Sequence, residues 1–179
     1  MPLVSLDTNV YPPTLFKTSD ENDRSWWVLH TKPRQEKALA ENLLASHIPF
    51  YLPLLERKNI IRGRVLRSEI PLFASYLFLY GTQEERVTAL STQRVVRSLQ
   101  VHDQGKLRQD LEQVHRLIQL GLPVTPEQHL VSGATVEFRT GPLMGLRGKI
   151  IRETHRQRFV VQVDFIQQGA SVTIDGFAL

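Results

Sequence analysis

The chain contains no cysteine and only 2 methionines in 179 residues. Without cysteine there is no disulfide framework, no cysteine zinc site and no thiol nucleophile. That usage suits the reducing cytoplasm, where we expect the protein to act. No apolar run approaches the ~18 residues of a membrane helix, so no membrane association is expected. The N-terminus lacks a basic start followed by an apolar stretch, so no secretory signal is expected. The histidines at 30, 47, 102, 115, 129 and 155 lack close metal-ligand spacing, and no metal is expected. Gly141–Pro142–Leu143–Met144–Gly145 does not open a helix after a strand, so it is neither a dinucleotide loop nor a phosphate loop. Asp103, Asp110 and Glu112 lie in and beside a polar turn, where solvated charge is a simpler reading than a general base. With no nucleophile, base and orienter in sight, neither an enzyme nor a cofactor is expected.

What is present is ordinary globular composition, 41% hydrophobic and 22% charged, in a length that allows one large domain or two small ones. The net charge is +4 and uneven. Residues 1–24 hold 2 basic and 4 acidic side chains, residues 25–120 hold 14 and 9, and residues 121–179 hold 6 and 5. The basic middle favours a polyanion or an acidic surface as partner.

Residues 1–24 contain Pro2, Pro12 and Pro13 and a polar run from Thr18 to Asp23. They show no structural period and read as a flexible extension. Trp26–Trp27–Val28–Leu29–His30 reads as a strand. Pro33 then fits the first turn of a helix whose apolar positions are Ala38, Leu39, Leu43 and Leu44, with Glu36, Lys37, Glu41 and Asn42 available for its outer face. Pro49 stops it, and Phe50–Tyr51–Leu52 starts a second strand. The flanks of Arg62–Gly63–Arg64 predict a hairpin. Tyr76 to Tyr80 predicts an aromatic strand, Thr82 to Leu90 a helix, Val95 to Leu99 a strand and Leu107 to Leu120 an amphipathic helix. This order is close to a split βαβ arrangement, with helices on one face of an antiparallel sheet. Residues 121–130 read as a linker. Beyond them the period becomes 2, with short strands at 134–139, 148–152, 159–164 and 171–174, which a segment this short closes as a small barrel.

Two features together identify a resemblance. One is Trp27–Val28–Leu29 before a helix, followed some forty residues later by Pro71–Leu72–Phe73–Ala74–Ser75–Tyr76–Leu77–Phe78. The other runs from Gly133 to Ile150 (GATVEFRTGPLMGLRGKI) and looks like a KOW motif. The pair resembles the NusG family of transcription elongation factors over residues 25–176. Ile60–Ile61–Arg62–Gly63–Arg64 ahead of Pro71–Leu72–Phe73 looks more like the specialised RfaH, UpxY and LoaP type antiterminators. The resemblance implies an α+β protein: a ferredoxin-like NGN domain at 25–120, a linker at 121–130 and an SH3-like KOW β-barrel at 131–179. It implies an elongation or antitermination factor that binds the clamp helices of RNA polymerase, bridges the channel and suppresses pausing or termination. The KOW domain would recruit a second partner, a ribosomal protein or Rho. A monomer is expected.

By the same resemblance, His30, Phe73, Tyr76 and Phe78 form an apolar clamp-binding pocket, although alternation alone is equally met if these rings are core. Arg86–Val87–Thr88 stand where one paralog touches the polymerase gate loop, with only Thr88 matched in kind. Lys32, Asn42, Gln93 and Arg94 match positions that face the non-template DNA strand. Arg62 and Arg64 belong to a basic hairpin that is either a solvated turn or a contact to nucleic acid or an acidic polymerase surface. In the KOW segment, Phe138, Ile150, Val161, Val163 and Ile174 fit the core, and Arg147, Lys149, Arg152, Arg156 and Arg158 fit a basic face. The alternative from another class is an RNA-binding module, an RRM-like sheet plus a KOW barrel acting without polymerase. Its nearest stacking candidates are Phe78 and Tyr80, but the glycine pattern of an RRM strand is missing.

Overall fold

The structure, a computed structural model, describes residues 9–174. The chain divides into two compact units, residues 1–104 and 105–179.

In the first unit the sheet order is β1 (Val10–Tyr11), β3 (Phe50–Tyr51), β6 (Tyr76–Gly81), β2 (Ser25–Thr31), β7 (Val95–Gln100). Every neighbouring pair is antiparallel. Helices α1 (Glu36–Ala45) and α2 (Gln83–Ser91) connect β2 to β3 and β6 to β7, which gives the ferredoxin-like β-α-β-β-α-β path. The helix α1 starts after Pro33 rather than at it, because Arg34 takes a positive φ of 62°. It ends in a reverse turn at His47 (φ 55°), where the Ile48 N–H reaches the Leu43 carbonyl at 2.9 Å and the His47 N–H reaches Leu44 at 3.1 Å. Such a turn satisfies the last carbonyls before Pro49. At the start of α2, Thr82 caps the helix by accepting from the Glu85 N–H.

Alternation sorts the sheet residues. Leu29, Phe50, Leu77 and Leu79 face the helices and cluster with Leu39, Ala40, Leu43 and Ala89. On the other face the register pairs Trp26 with Tyr80, Val28 with Phe78 and His30 with Tyr76, and sets Tyr51 beside Phe78.

The described part of the N-terminal extension is ordered, not flexible. β1 pairs with β3, Leu15 is buried, and Phe16 stacks on Trp26 (centroids 6.0 Å apart) and meets the edge of Tyr51 at 5.2 Å. The segment has no period because it contributes single anchors whose partners lie far away in the chain. Residues 1–8 lie outside the described part.

Among the described residues, β4 (Leu54–Ile61) and β5 (Arg64–Pro71) pair only with each other. Arg62 (φ 50°) and Gly63 (φ 76°) make the two-residue turn, a geometry that needs positive φ at both positions and matches the twist of the strands.

In the second unit α3 (Gln104–Gln119, of which residue 104 falls in the first unit) precedes β8 (Thr125–Glu127), β9 (Thr135–Glu137), β10 (Arg147–Arg152), β11 (Gln157–Val163) and β12 (Gln168–Thr173). These strands form one antiparallel sheet in the order β8-β12-β11-β10-β9. Phe138, Val161, Val163 and Ile174 are in its core as expected, whereas Ile150 is only half-buried. Phe138 meets Phe159 edge to face at 4.9 Å. Gly148 is required by close approach: a Cβ there would lie 2.3 Å from the Val160 carbonyl oxygen. The stretch read as a linker contains β8, which pairs with β12 through Glu127, Pro126 and Thr125. By their contacts, residues 105–119 of α3 group with these strands.

Candidate macromolecular interface

The aromatic motif residues do not form the expected open pocket. Phe78 is wholly buried and Phe73 is 1% exposed. They pack edge to face with centroids 6.3 Å apart. Both are core residues here, because the sheet face that carries Phe78 is covered and Phe73 seals it. The surface part of the motif is its first pair. His30 and Tyr76 are half-buried opposite each other, with ring centroids 5.3 Å apart. Arg97 of β7 lies across from His30 on the other side, so Tyr76, His30 and Arg97 form a row across three strands.

The turn leading into Tyr76 is held from two sides. The Thr31 N–H donates to the Ser75 carbonyl at 2.8 Å, and the Ser75 N–H donates to a Glu36 carboxylate oxygen at 2.7 Å. Ser75 itself has φ 65°. Glu36, read from sequence as an outer-face residue, is instead buried and positions this turn. Its partner lies 39 residues away, so no local pattern could have revealed the role.

Lys32, Asn42, Gln93 and Arg94 come together. Arg94 Nε donates to Asn42 Oδ1 at 2.8 Å, and the same guanidinium donates to Gln35 Oε1. The Lys32 N–H donates to the Arg94 carbonyl at 2.9 Å. Gln93 sits next to it, exposed, in a turn with φ 62°. The partners of Arg94 are neutral amides, which orient the guanidinium without cancelling its charge. Among the described residues no carboxylate pairs with Lys32, Arg34, Arg94 or Arg97. The patch is thus a cluster of uncompensated cations, a form suited to an anionic partner.

The remaining candidates are dispersed. Arg86 is occupied internally: its Nε donates to Ser98 Oγ at 2.9 Å, and its guanidinium lies 4.9 Å from the centroid of Trp27. Val87 and Thr88 are exposed on α2. Arg62 and Arg64 stand on the separate β4–β5 ribbon.

In the second unit the expected basic face is largely neutralised. Arg147 pairs with Glu137 at 3.0 Å and Arg156 with Glu153 at 2.7 Å, while Arg158 is held by Glu127 and Glu153. Hydrogen bonds from Arg156 and charge from Arg158 keep the Glu153 carboxyl below its usual range. A cavity of about 600 Å³ borders α3 and β9 to β11, with Lys106, Arg147 and Lys149 facing Asp110, Glu112 and Asp164. Burial raises the Asp110 pKa despite the Lys106 ammonium 2.5 Å away. The balanced charge gives this cavity no preference for a ligand of either sign.

No helix among the described residues is long and apolar enough to cross a membrane. No curated protein shows a significant match to the chain. A solved structure described as "Domain interaction in Thermotoga maritima NusG" aligns with 84% of this chain and 93% of its own, at 17% identity and a TM-score of 0.41. The family model for "Transcription termination factor nusG" matches residues 24–117, just over half of the sequence. The chain therefore belongs to the NusG family of transcription factors.

Proposed function

We propose that this protein is an elongation and antitermination factor of the specialised RfaH, UpxY and LoaP kind, working in the cytoplasm as a monomer. Residues 25–120 act as the NGN domain and bind RNA polymerase. His30 and Tyr76 supply the exposed part of the clamp-helix contact, with Phe73 and Phe78 as its packed support. Exposed Val87 and Thr88 are the gate-loop side. Lys32, Asn42, Gln93 and Arg94 meet the non-template strand, and residues 131–179 recruit a ribosomal protein or Rho. The factor shifts polymerase toward a closed clamp only as far as it binds that state better than the open one.

The observation that supports this reading best is the convergence of Lys32, Asn42, Gln93 and Arg94 from three separate segments into one uncompensated cationic patch. The test is capture of core RNA polymerase by the full chain, followed by an in vitro pausing assay. Capture with shortened pauses is the expected result. Capture of naked RNA without polymerase would replace this reading with the RNA-binding module.

A further inference from the structure

Among the described residues, the outer part of the β4–β5 ribbon, residues 56–69, is left without a layer on either side. Every residue from Glu56 to Glu69 is exposed, including four large aliphatics: Ile60 at 77%, Val65 at 59%, Ile61 at 52% and Leu66 at 50%. An aliphatic cluster this open on a charged arm calls for a covering partner.

The charges say which. The ribbon carries Arg57, Lys58, Arg62, Arg64 and Arg67 against Glu56 and Glu69. Its one ion pair is Arg67 with Glu56 at 3.5 Å; the other four cations have no carboxylate among the described residues. The register puts Lys58 and Arg67 on the face with Ile60 and Val65, and Arg57 and Arg64 on the face with Ile61 and Leu66. Arg62 is at the tip. Cations therefore project from both faces, with aliphatics between them. A second copy of the same ribbon would meet like charge. A strand added along one edge would leave at least one cationic face unmatched. An anionic groove with two charged walls matches both faces at once.

We infer that this ribbon enters the major groove of duplex DNA. The groove is about 12 Å wide and admits a two-stranded ribbon. The exposed arm, six residues per strand, is about 20 Å long. Arg57, Lys58, Arg62 and Arg64 reach phosphates on the two walls, while Ile60 and Val65, on the face turned to the base edges, lie against thymine methyl groups. The inference deepens the nucleic-acid contact proposed above for the cationic patch by adding a duplex contact on another element, and it rests on that reading for its place in transcription.

The test is fluorescence anisotropy with the full chain, using a duplex of about 24 base pairs, roughly two turns of DNA, and its single strand. The substitutions are Arg62→Asn with Arg64→Gln, since asparagine tolerates the positive φ of the turn. The wild type is expected to prefer the duplex. The double variant is expected to bind roughly tenfold more weakly, with the slope of log K against log salt lowered by about 0.9 for each phosphate that is no longer neutralised. Replacing thymine with uracil is expected to weaken wild-type binding about threefold, and to leave an Ile60→Ser, Val65→Ser variant unaffected. Failure of the wild type to bind, a preference for the single strand, unchanged binding by the arginine double variant, or equal competition by polyglutamate would each overturn the inference; the last would point to an acidic protein instead. Core polymerase capture is measured alongside. If capture holds and the duplex response fails, only the ribbon assignment falls; if capture fails, the proposed function falls whatever the ribbon does.

Discussion

Tyr76 and Phe78 point the same way from one strand, yet only Tyr76 reaches the surface. Their alanine variants should therefore separate stability from contact. Phe78→Ala removes a wholly buried ring and leaves a cavity, at a cost of about 3–5 kcal/mol. Tyr76→Ala removes a half-exposed ring and should cost about 1 kcal/mol while weakening polymerase capture. Urea unfolding and a pull-down on the same preparations check this, and normal capture by Tyr76→Ala would remove that ring from the interface. Strand alternation correctly puts Leu77 and Leu79 on one side and Tyr76 and Phe78 on the other. What it cannot say is which sides are covered, since a period of 2 records direction and not what lies above. Glu36 shows the same limit in a helix: its position on α1 is legible, but the distant Ser75 N–H that draws it inward is not.

Elements were legible where many residues repeat a local signal and obscure where a few anchors act at a distance. α2, α3, the hairpin and the aromatic strand fall where their patterns place them. The segment 9–24 and β8 were missed for one reason: each is short and broken by proline, and each is held by partners on other strands. The N-terminal segment should accordingly behave as structure. Phe16→Ala removes its packing against Trp26 and Tyr51 and is expected to cost about 2 kcal/mol, less than for a fully buried ring because Phe16 is half-exposed. A urea midpoint equal to wild type would show the segment to be dispensable. Helix α3 adds a pH dependence. Burial lowers the His115 pKa below its ordinary value, so the folded state holds the neutral imidazole. The corresponding stability is present above the unfolded pKa of about 6.5 and is lost as pH falls through the lower folded value. His115→Gln should flatten that decline when melting temperatures are compared between about pH 7.5 and pH 5. An unchanged slope would assign the acid sensitivity to other groups.

At the scale of the molecule, the positive excess lies in residues 25–120, the stretch that also holds the cations without a carboxylate partner among the described residues. Residues 121–179 hold 6 basic and 5 acidic side chains, and there glutamates pair with Arg147, Arg156 and Arg158. In the first unit neutral amides hold Arg94, and Lys32 is left bare. Charge counts cannot distinguish these cases; partner identity can. The consequence is that binding to polymerase and contact with DNA should be separable. Lys32→Ala with Arg94→Ala removes two surface cations and the side-chain hydrogen bonds of Arg94 but no buried apolar group, so stability should change by about 1 kcal/mol or less. His30 and Tyr76 remain, so capture of core polymerase should persist. If the patch holds the non-template strand, pause suppression should fall, and the salt slope of binding to an open-bubble complex should drop by about 0.7 for each single-strand phosphate left without its cation. Parallel loss of capture and pause suppression would mean that the patch touches polymerase itself. Pause suppression equal to wild type would mean that the cations are solvated, and that the factor acts through the clamp contact alone.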